Sequence, residues 1–157
     1  MIEELMPMPH GQLQELKDGN MIIHQTDELF AQRKVVLFAV PGAFTPTCSA
    51  AHLPGYVVSA DELKAKGVDD IICLSVNDAF VMHEWGKSQN AENIMMLADG
   101  DGSYTKMLGL GKETGSFGGY RSQRYAMIIV DGVVTHLKLE KPKEFEVSSA
   151  EVILESL

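Results

Sequence analysis

Few residues in this 157-residue chain are equipped for nucleophilic or redox chemistry: two cysteines, five histidines and three arginines. Of these, Cys48 stands in a setting that local geometry would activate. The stretch Pro41-Gly-Ala-Phe-Thr45-Pro46-Thr47-Cys48 follows the apolar run Val35–Val40 and opens a helical pattern. Thr45 suits the N-cap, and Pro46 suits the first helical position, where a missing N–H is no loss. Cys48 then falls at the third helical position, in the first turn. Unpaired backbone N–H groups point there and the helix macrodipole favours negative charge. Both favour thiolate over thiol, and the thiolate is the nucleophile. The bland alternative for any free cysteine is a small buried hydrophobe; the Thr-Pro-Thr-Cys context argues against it here.

His52 lies four residues after Cys48, so a helix would put both on one face. A Cys/His pair raises the possibility of a hydrolase or acyltransferase. That reading lacks a third group and an oxyanion-hole motif. Cys73 sits inside a second apolar run, Asp69–Val76. Its ordinary role is a core thiol; its alternative is a disulfide with Cys48. A disulfide needs Cα atoms within about 7 Å, so a strand-embedded thiol would need local unfolding to reach its partner. His10, His24, His83 and His136 read as structural or exposed. No metal site is expected. Asp99-Gly-Asp-Gly-Ser103 lacks the later Gly and Glu of a calcium loop, and two cysteines with scattered histidines give no zinc spacing. Met21, Met82, Met95, Met96, Met107 and Met127 read as core filler.

The elements that must hold these residues follow from patterning. Val35–Val40, Asp69–Val76 and Ile94–Ala98 read as buried strands. Between the first two runs a helix spans roughly Pro46 to Lys66, bent at Pro54-Gly55 and capped by Gly67. A second helix follows Asn77-Asp78 to about Gln89, and a short one covers Tyr104–Leu108. The glycine-rich segment from Gly109 to Gly119 reads as a loop. Tyr125–Val130 and Val133–Leu139 flank Asp131-Gly132 as a hairpin. Ser148-Ser-Ala-Glu151 reads as a capping box for a last helix. This order predicts one domain over residues 1–157, of α/β class, with a mixed central β-sheet flanked by helices and a thioredoxin-like fold.

The segment Pro41–Cys48 matches the Pro-x-x-x-Thr-x-x-Cys pattern and resembles the active site of peroxiredoxins. Ser49-Ala-Ala-His52-Leu-Pro-Gly-Tyr56, Leu74-Ser-Val-Asn-Asp-Ala-Phe80, Leu97-Ala-Asp-Gly100 and Arg121-Ser-Gln-Arg-Tyr-Ala-Met127 are similar to the type II/type V subgroup. The resemblance runs from about residue 27 to the C-terminus; the first twenty or so residues lack the family's usual opening. It implies a thiol peroxidase acting on hydrogen peroxide and organic hydroperoxides. Cys48 would attack the peroxide and become sulfenic acid. Thr45 would hydrogen-bond the peroxide, and Pro41 would shield the thiolate. Arg124 would pair with the thiolate and the reacting oxygens through a permanently charged, multi-donor guanidinium. Arg121 is its near competitor; the family pattern points to the arginine directly before the aromatic residue. His52 would be a polar-network residue and Cys73 a possible resolving cysteine.

The same resemblance implies no prosthetic group, an external thiol (glutathione with glutaredoxin, or thioredoxin) and a homodimer formed near the active site, with Phe44, Pro46, Phe80 and Trp85 as candidates for an apolar rim. The C-terminal resolving cysteine of some type V relatives is absent, since Phe145-Glu-Val-Ser-Ser149 stands in that region. Composition narrows the rest. A net charge of −9 argues against nucleic acid or an anionic membrane as main partner. No apolar run approaches the roughly 20 residues of a membrane helix. The acidic start Met1-Ile-Glu-Glu does not read as a secretory signal, and two cysteines are too few for a secreted disulfide framework. A cytoplasmic location is therefore expected. A redox sensor or chaperone using the same reactive thiol is the alternative function.

Overall fold

The computed structural model describes all residues 1–157. Its centre is a seven-stranded sheet in the order β2 (Asn20–Gln25), β1 (Gln12–Lys17), β5 (Met95–Ala98), β4 (Asp70–Ser75), β3 (Lys34–Ala39), β8 (Tyr125–Val130), β9 (Val133–Leu139). Three strands, β3 (Lys34–Ala39), β4 (Asp70–Ser75) and β5 (Met95–Ala98), run parallel. They are continuous apolar runs because both sheet faces are covered. In β3 the side chains alternate: Val36 and Phe38 enter one core, Val35, Leu37 and Ala39 the other. The first core is closed by α2 (Leu53–Ala65), α3 (Ala79–Ser88) and α5 (Ala150–Glu155). The second is closed by α1 (Thr26–Phe30) and α4 (Ser103–Leu108). The expected thioredoxin-like α/β class, with its mixed sheet, is the one observed.

Antiparallel strands complete the sheet. The strands β8 (Tyr125–Val130) and β9 (Val133–Leu139) pair around Asp131-Gly132, both at positive φ (46° and 78°), the geometry of a type I′ turn. An N-terminal hairpin of β1 (Gln12–Lys17) and β2 (Asn20–Gln25) uses the same device, with Asp18 and Gly19 at φ 51° and 77°. It forms the far edge of the sheet. The segment expected to be a loop between Gly109 and Gly119 instead contributes to a small ribbon, β6 (Gly111–Glu113) with β7 (Tyr120–Ser122). Its connection is a 3₁₀ turn at Gly115–Phe117. Met82, Met96 and Met127 fill the core as expected, but Met21 and Met107 are exposed.

The register of this sheet sets out the site. Ala39 of β3 pairs with Tyr125 of β8, and Tyr125 pairs with Leu139 of β9. The next residue along each strand end is therefore Val40, Arg124 and Glu140. The Glu140 amide donates to the Arg124 carbonyl at 3.0 Å, extending the β8–β9 ladder by one rung.

Candidate active site

Cys48 enters the site by an unusual backbone path. The helix begins at Pro46, but residues Cys48–His52 form a π turn, in which the Leu53 amide donates to the Cys48 carbonyl. Pro54 explains it. Its ring has no N–H for the Ala50 carbonyl and would clash with it in a regular α turn. One wide turn just upstream removes the conflict, and such bulges recur at functional sites. The π turn ends just ahead of Pro54-Gly55, and the helix runs on from Leu53 as α2. The Thr45 carbonyl accepts from the Ser49 amide at 2.9 Å, as at a helix start. Its hydroxyl is not the expected cap. It donates backwards to the Gly42 carbonyl at 2.7 Å, leaving its oxygen lone pairs available.

Cys48 is fully buried, and its Sγ accepts a hydrogen bond from Arg124 Nη2 at 3.1 Å. Arg124 Nη1 lies 2.8 Å from His52 Nδ1, and His52 Nε2 lies 3.0 Å from the Ser148 carbonyl. The chemistry of the two ends fixes the ring. A guanidinium has only donors and a carbonyl only accepts. His52 must therefore be neutral, with its proton on Nε2 and its Nδ1 lone pair facing Arg124. The titration of the group agrees: burial, and then the Arg124 charge, hold its pKa down to about 3, against an opposing pull from the Ser148 bond. His52 thus joins the sulfur's arginine directly and is not a base. Tyr56, Phe38 and Phe145 wall the ring. Phe38 stacks on Tyr56 at 3.9 Å, and the Phe145 centroid is 4.9 Å from that of His52.

The remaining candidates separate clearly. Pro41 and Arg124 line a cleft of about 250 Å³ together with Thr47, Lys112, Lys141, Lys143 and Phe145. The larger cavity, about 530 Å³, lies between β1, α3 and β5 and contains neither Cys48 nor Arg124. Arg121 does not reach sulfur. It donates to the carbonyls of Gly118 and Val76, both at 2.9 Å, and so ties the β6–β7 ribbon to the loop after β4. Cys73 is fully buried in β4 with paired strands on both sides, Phe38 opposite it on β3 and Met96 on β5. Burial, then the nearby Cys48, push its thiol pKa up, with Arg124 opposing. Both cysteines are free. Trp85 is core rather than rim: it is fully buried and donates to Ser49 Oγ at 3.0 Å, while Phe44 and Phe80 are exposed.

Several positions that shape the site were not singled out as site residues in the sequence. Asn77 Oδ1 accepts from the Ala43 amide at 3.0 Å and from the Ser75 hydroxyl at 2.6 Å, which holds the Pro41–Phe44 loop. Ser148 was expected to cap the last helix; the cap is Ser149, whose Oγ accepts from the Val152 amide. The Ser148 hydroxyl turns instead to Glu140.

A buried thiol at the head of a helix after the first parallel strand, paired to a fixed arginine, is the arrangement of a thioredoxin-like thiol enzyme. The family model for Redoxin matches residues 4–154. Peroxiredoxin-2D of Arabidopsis thaliana is 52% identical over 129 residues, covering 81% of this chain and 80% of its own. Peroxiredoxin-2C of Oryza sativa subsp. japonica is 48% identical over 154 residues, covering 96% and 94%. The crystal structure of reduced Prx3 of Vibrio vulnificus in complex with H2O2 superposes with a TM-score of 0.98 at 63% identity, over 99% of each chain. The chain belongs to the peroxiredoxin family, among its type II members. It is a thiol-dependent peroxidase, and the sensor or chaperone alternative is not favoured.

Proposed function

We propose that Cys48 is the nucleophile of this peroxidase and that Arg124 stabilises the charge that moves in its reaction. The Cys48 thiolate attacks one peroxide oxygen of hydrogen peroxide or an organic hydroperoxide. An S–O bond forms, the O–O bond breaks, and the leaving hydroxide or alkoxide takes up a proton. Cys48 ends as sulfenic acid, oxidised by two electrons. The observation that carries this reading is the 3.1 Å bond from Arg124 Nη2 to a buried Sγ. A charged donor already aimed there needs no reorganisation in the transition state. The Thr45 hydroxyl, which donates its hydrogen bond to the Gly42 carbonyl, has lone pairs free to accept from the peroxide O–H. Pro41 contributes an apolar edge to the cleft beside Arg124.

Recycling in this reading uses one cysteine of the chain. The sulfenic acid condenses with an external thiol, releasing water and leaving a mixed disulfide that a second thiol opens. Glutathione with glutaredoxin suits this step, because Lys112, Lys141 and Lys143, alongside Glu140 and Glu144, line the cleft and offer partners for both its carboxylates and its amine. The competing route, a Cys48–Cys73 disulfide opened by thioredoxin, would require β4 to leave both neighbouring strands. No prosthetic group takes part, and the enzyme works in the reducing cytoplasm as a homodimer. Exposed Phe44 and Phe80, at 57% and 61%, supply apolar surface on the active-site side for that contact. Steady turnover of hydrogen peroxide with a supplied thiol tests the whole reading. Cys48→Ser is expected to abolish it while leaving the fold intact; substantial turnover by that variant would overturn it.

A further inference from the structure

Glu140 is a buried carboxylate with no basic partner. It is 6% exposed and forms no ion pair. Its charge is held instead by the loop that follows it. The Glu146 amide donates to both carboxylate oxygens at 2.9 Å. Oε2 also accepts from the Val147 amide at 2.9 Å, the Ser148 amide at 2.8 Å and the Ser148 hydroxyl at 2.7 Å. Three successive amides turned on one carboxylate make an anion nest. Burial pushes the Glu140 pKa up, but these donors outweigh it and leave the group below its ordinary value, so the ionised form is the one bound.

The clamp reaches the sulfur in three steps. With its amide and hydroxyl engaged by Glu140, Ser148 presents its carbonyl to His52 Nε2 at 3.0 Å and to the Tyr56 hydroxyl at 2.9 Å. That carbonyl, together with the Arg124 donor on Nδ1, keeps the His52 proton on Nε2. Without it the ring is free to carry its proton on Nδ1, which would set a donor against Arg124 Nη1, now 2.8 Å away. The guanidinium would then lose one of the two acceptors that orient it toward Cys48 Sγ. The same loop carries Phe145, whose ring lies 5.9 Å from the Arg124 guanidinium carbon. The Glu140 amide meanwhile holds the Arg124 carbonyl.

We propose that Glu140 is a positioning residue for the peroxidase reaction: its carboxylate clamps residues 146–148, and the clamped Ser148 carbonyl fixes the His52 tautomer that aims Arg124 at Cys48. This rests on the reading of Cys48 as nucleophile with Arg124 as its partner. The Glu140 carboxylate makes its hydrogen bonds to residues 146–148 and none to the sulfur.

The test compares Glu140→Gln and Ser148→Ala with wild type, each alone and with His52→Asn. Two quantities are read: the rate constant for Cys48 oxidation by hydrogen peroxide in rapid mixing, and the ¹⁵N NMR signature of the His52 ring. Glu140→Gln keeps the shape but sets an amide NH2 among donors. It should slow oxidation about tenfold or more, because small misplacements of an aimed group cost that order. The ring signature should lose its pure Nε2–H form. In the His52→Asn background the same change should matter less than about twofold, because both act through one relay. Ser148→Ala removes only the hydroxyl bond, and a smaller slowing with the same loss of additivity is expected. It decides the matter if Glu140→Gln does not fold. An unchanged rate in a folded variant, an unchanged tautomer, or effects that multiply in the double variants would overturn the positioning role. Those results with a fast wild type would leave the peroxidase reading standing; turnover by Cys48→Ser would remove that reading itself.

Discussion

Acidification between pH 7 and pH 5 should destabilise this protein chiefly through His52. The ring is neutral and fully buried, held between Arg124 and the Ser148 carbonyl, with its pKa at about 3. In the unfolded chain it returns to about 6.5. The folded value is the lower one, so as pH falls below 6.5 the unfolded state takes up a proton that the folded state refuses. Stability is therefore lost across the window from 6.5 down to 3 and is unaffected above it. The loss approaches about 1.4 kcal/mol per pH unit inside that window, or about 2 kcal/mol between pH 7 and pH 5. For a chain of this length that is a fall in Tm of roughly 4–8 °C. Glu140 and Asp101, whose pKa values are lowered, also lose stability in acid, but mainly below the ordinary carboxylate range. Urea titrations of wild type and His52→Asn at pH 7, 6 and 5 isolate the histidine, since the variant keeps every other group. The variant should start less stable and lose about 2 kcal/mol less over the interval. Equal losses in the two proteins would refute the buried neutral tautomer, and with it the account of how Arg124 is oriented.

Arg124→Ala should lower the rate of Cys48 oxidation by about 10²–10³-fold, the usual cost of an electrostatic donor. Arg121→Ala should act on stability rather than rate, since its donors serve Gly118 and Val76; a reversal of the two effects would refute the assignment. Cys73→Ser should retain turnover with glutathione and glutaredoxin. Loss of activity with every donor, joined to a quantitative Cys48–Cys73 bond in oxidised wild type by mass mapping, would refute the one-cysteine cycle. Sedimentation at micromolar concentration should show a dimer, weakened by Phe44→Ser or Phe80→Ser, and a strict monomer would refute the active-site contact.

Legibility from sequence followed how local each signal was. The three parallel strands and the Asp131-Gly132 hairpin were readable because continuous apolar runs and a two-residue turn need no distant partner. The N-terminal hairpin was missed although Asp18-Gly19 is the same turn dipeptide. Its strands alternate weakly, with Ile23 at 54% and Met21 at 42% exposed, as an edge hairpin allows. The β6–β7 ribbon hid among glycines for a similar reason: three-residue strands are too short for periodicity. At the site, Cys48 and Arg124 were visible through motif context, and the sheet register explains why they meet. Glu140, Ser148 and Asn77 were not visible, because each works by hydrogen bonds to backbone groups that only the folded chain brings near.

Cys48 and His52, the first and last residues of the π turn, share one arginine. In a regular helix, residues four apart lie one above the other on one face. The fork of Arg124 reaches across the π turn, one nitrogen to Sγ and the other to Nδ1. A lysine could not do the same, having a single point charge in place of a planar pair of donors. Pro54 imposes the wide turn, the Ala39–Tyr125–Leu139 register delivers Arg124 beside it, and the Glu140 clamp closes the far side. Each of the three acts through backbone geometry. If Cys48 is the nucleophile, its sulfur depends on residues that do not touch it, and substitutions at Pro54 or Glu140 belong with the site.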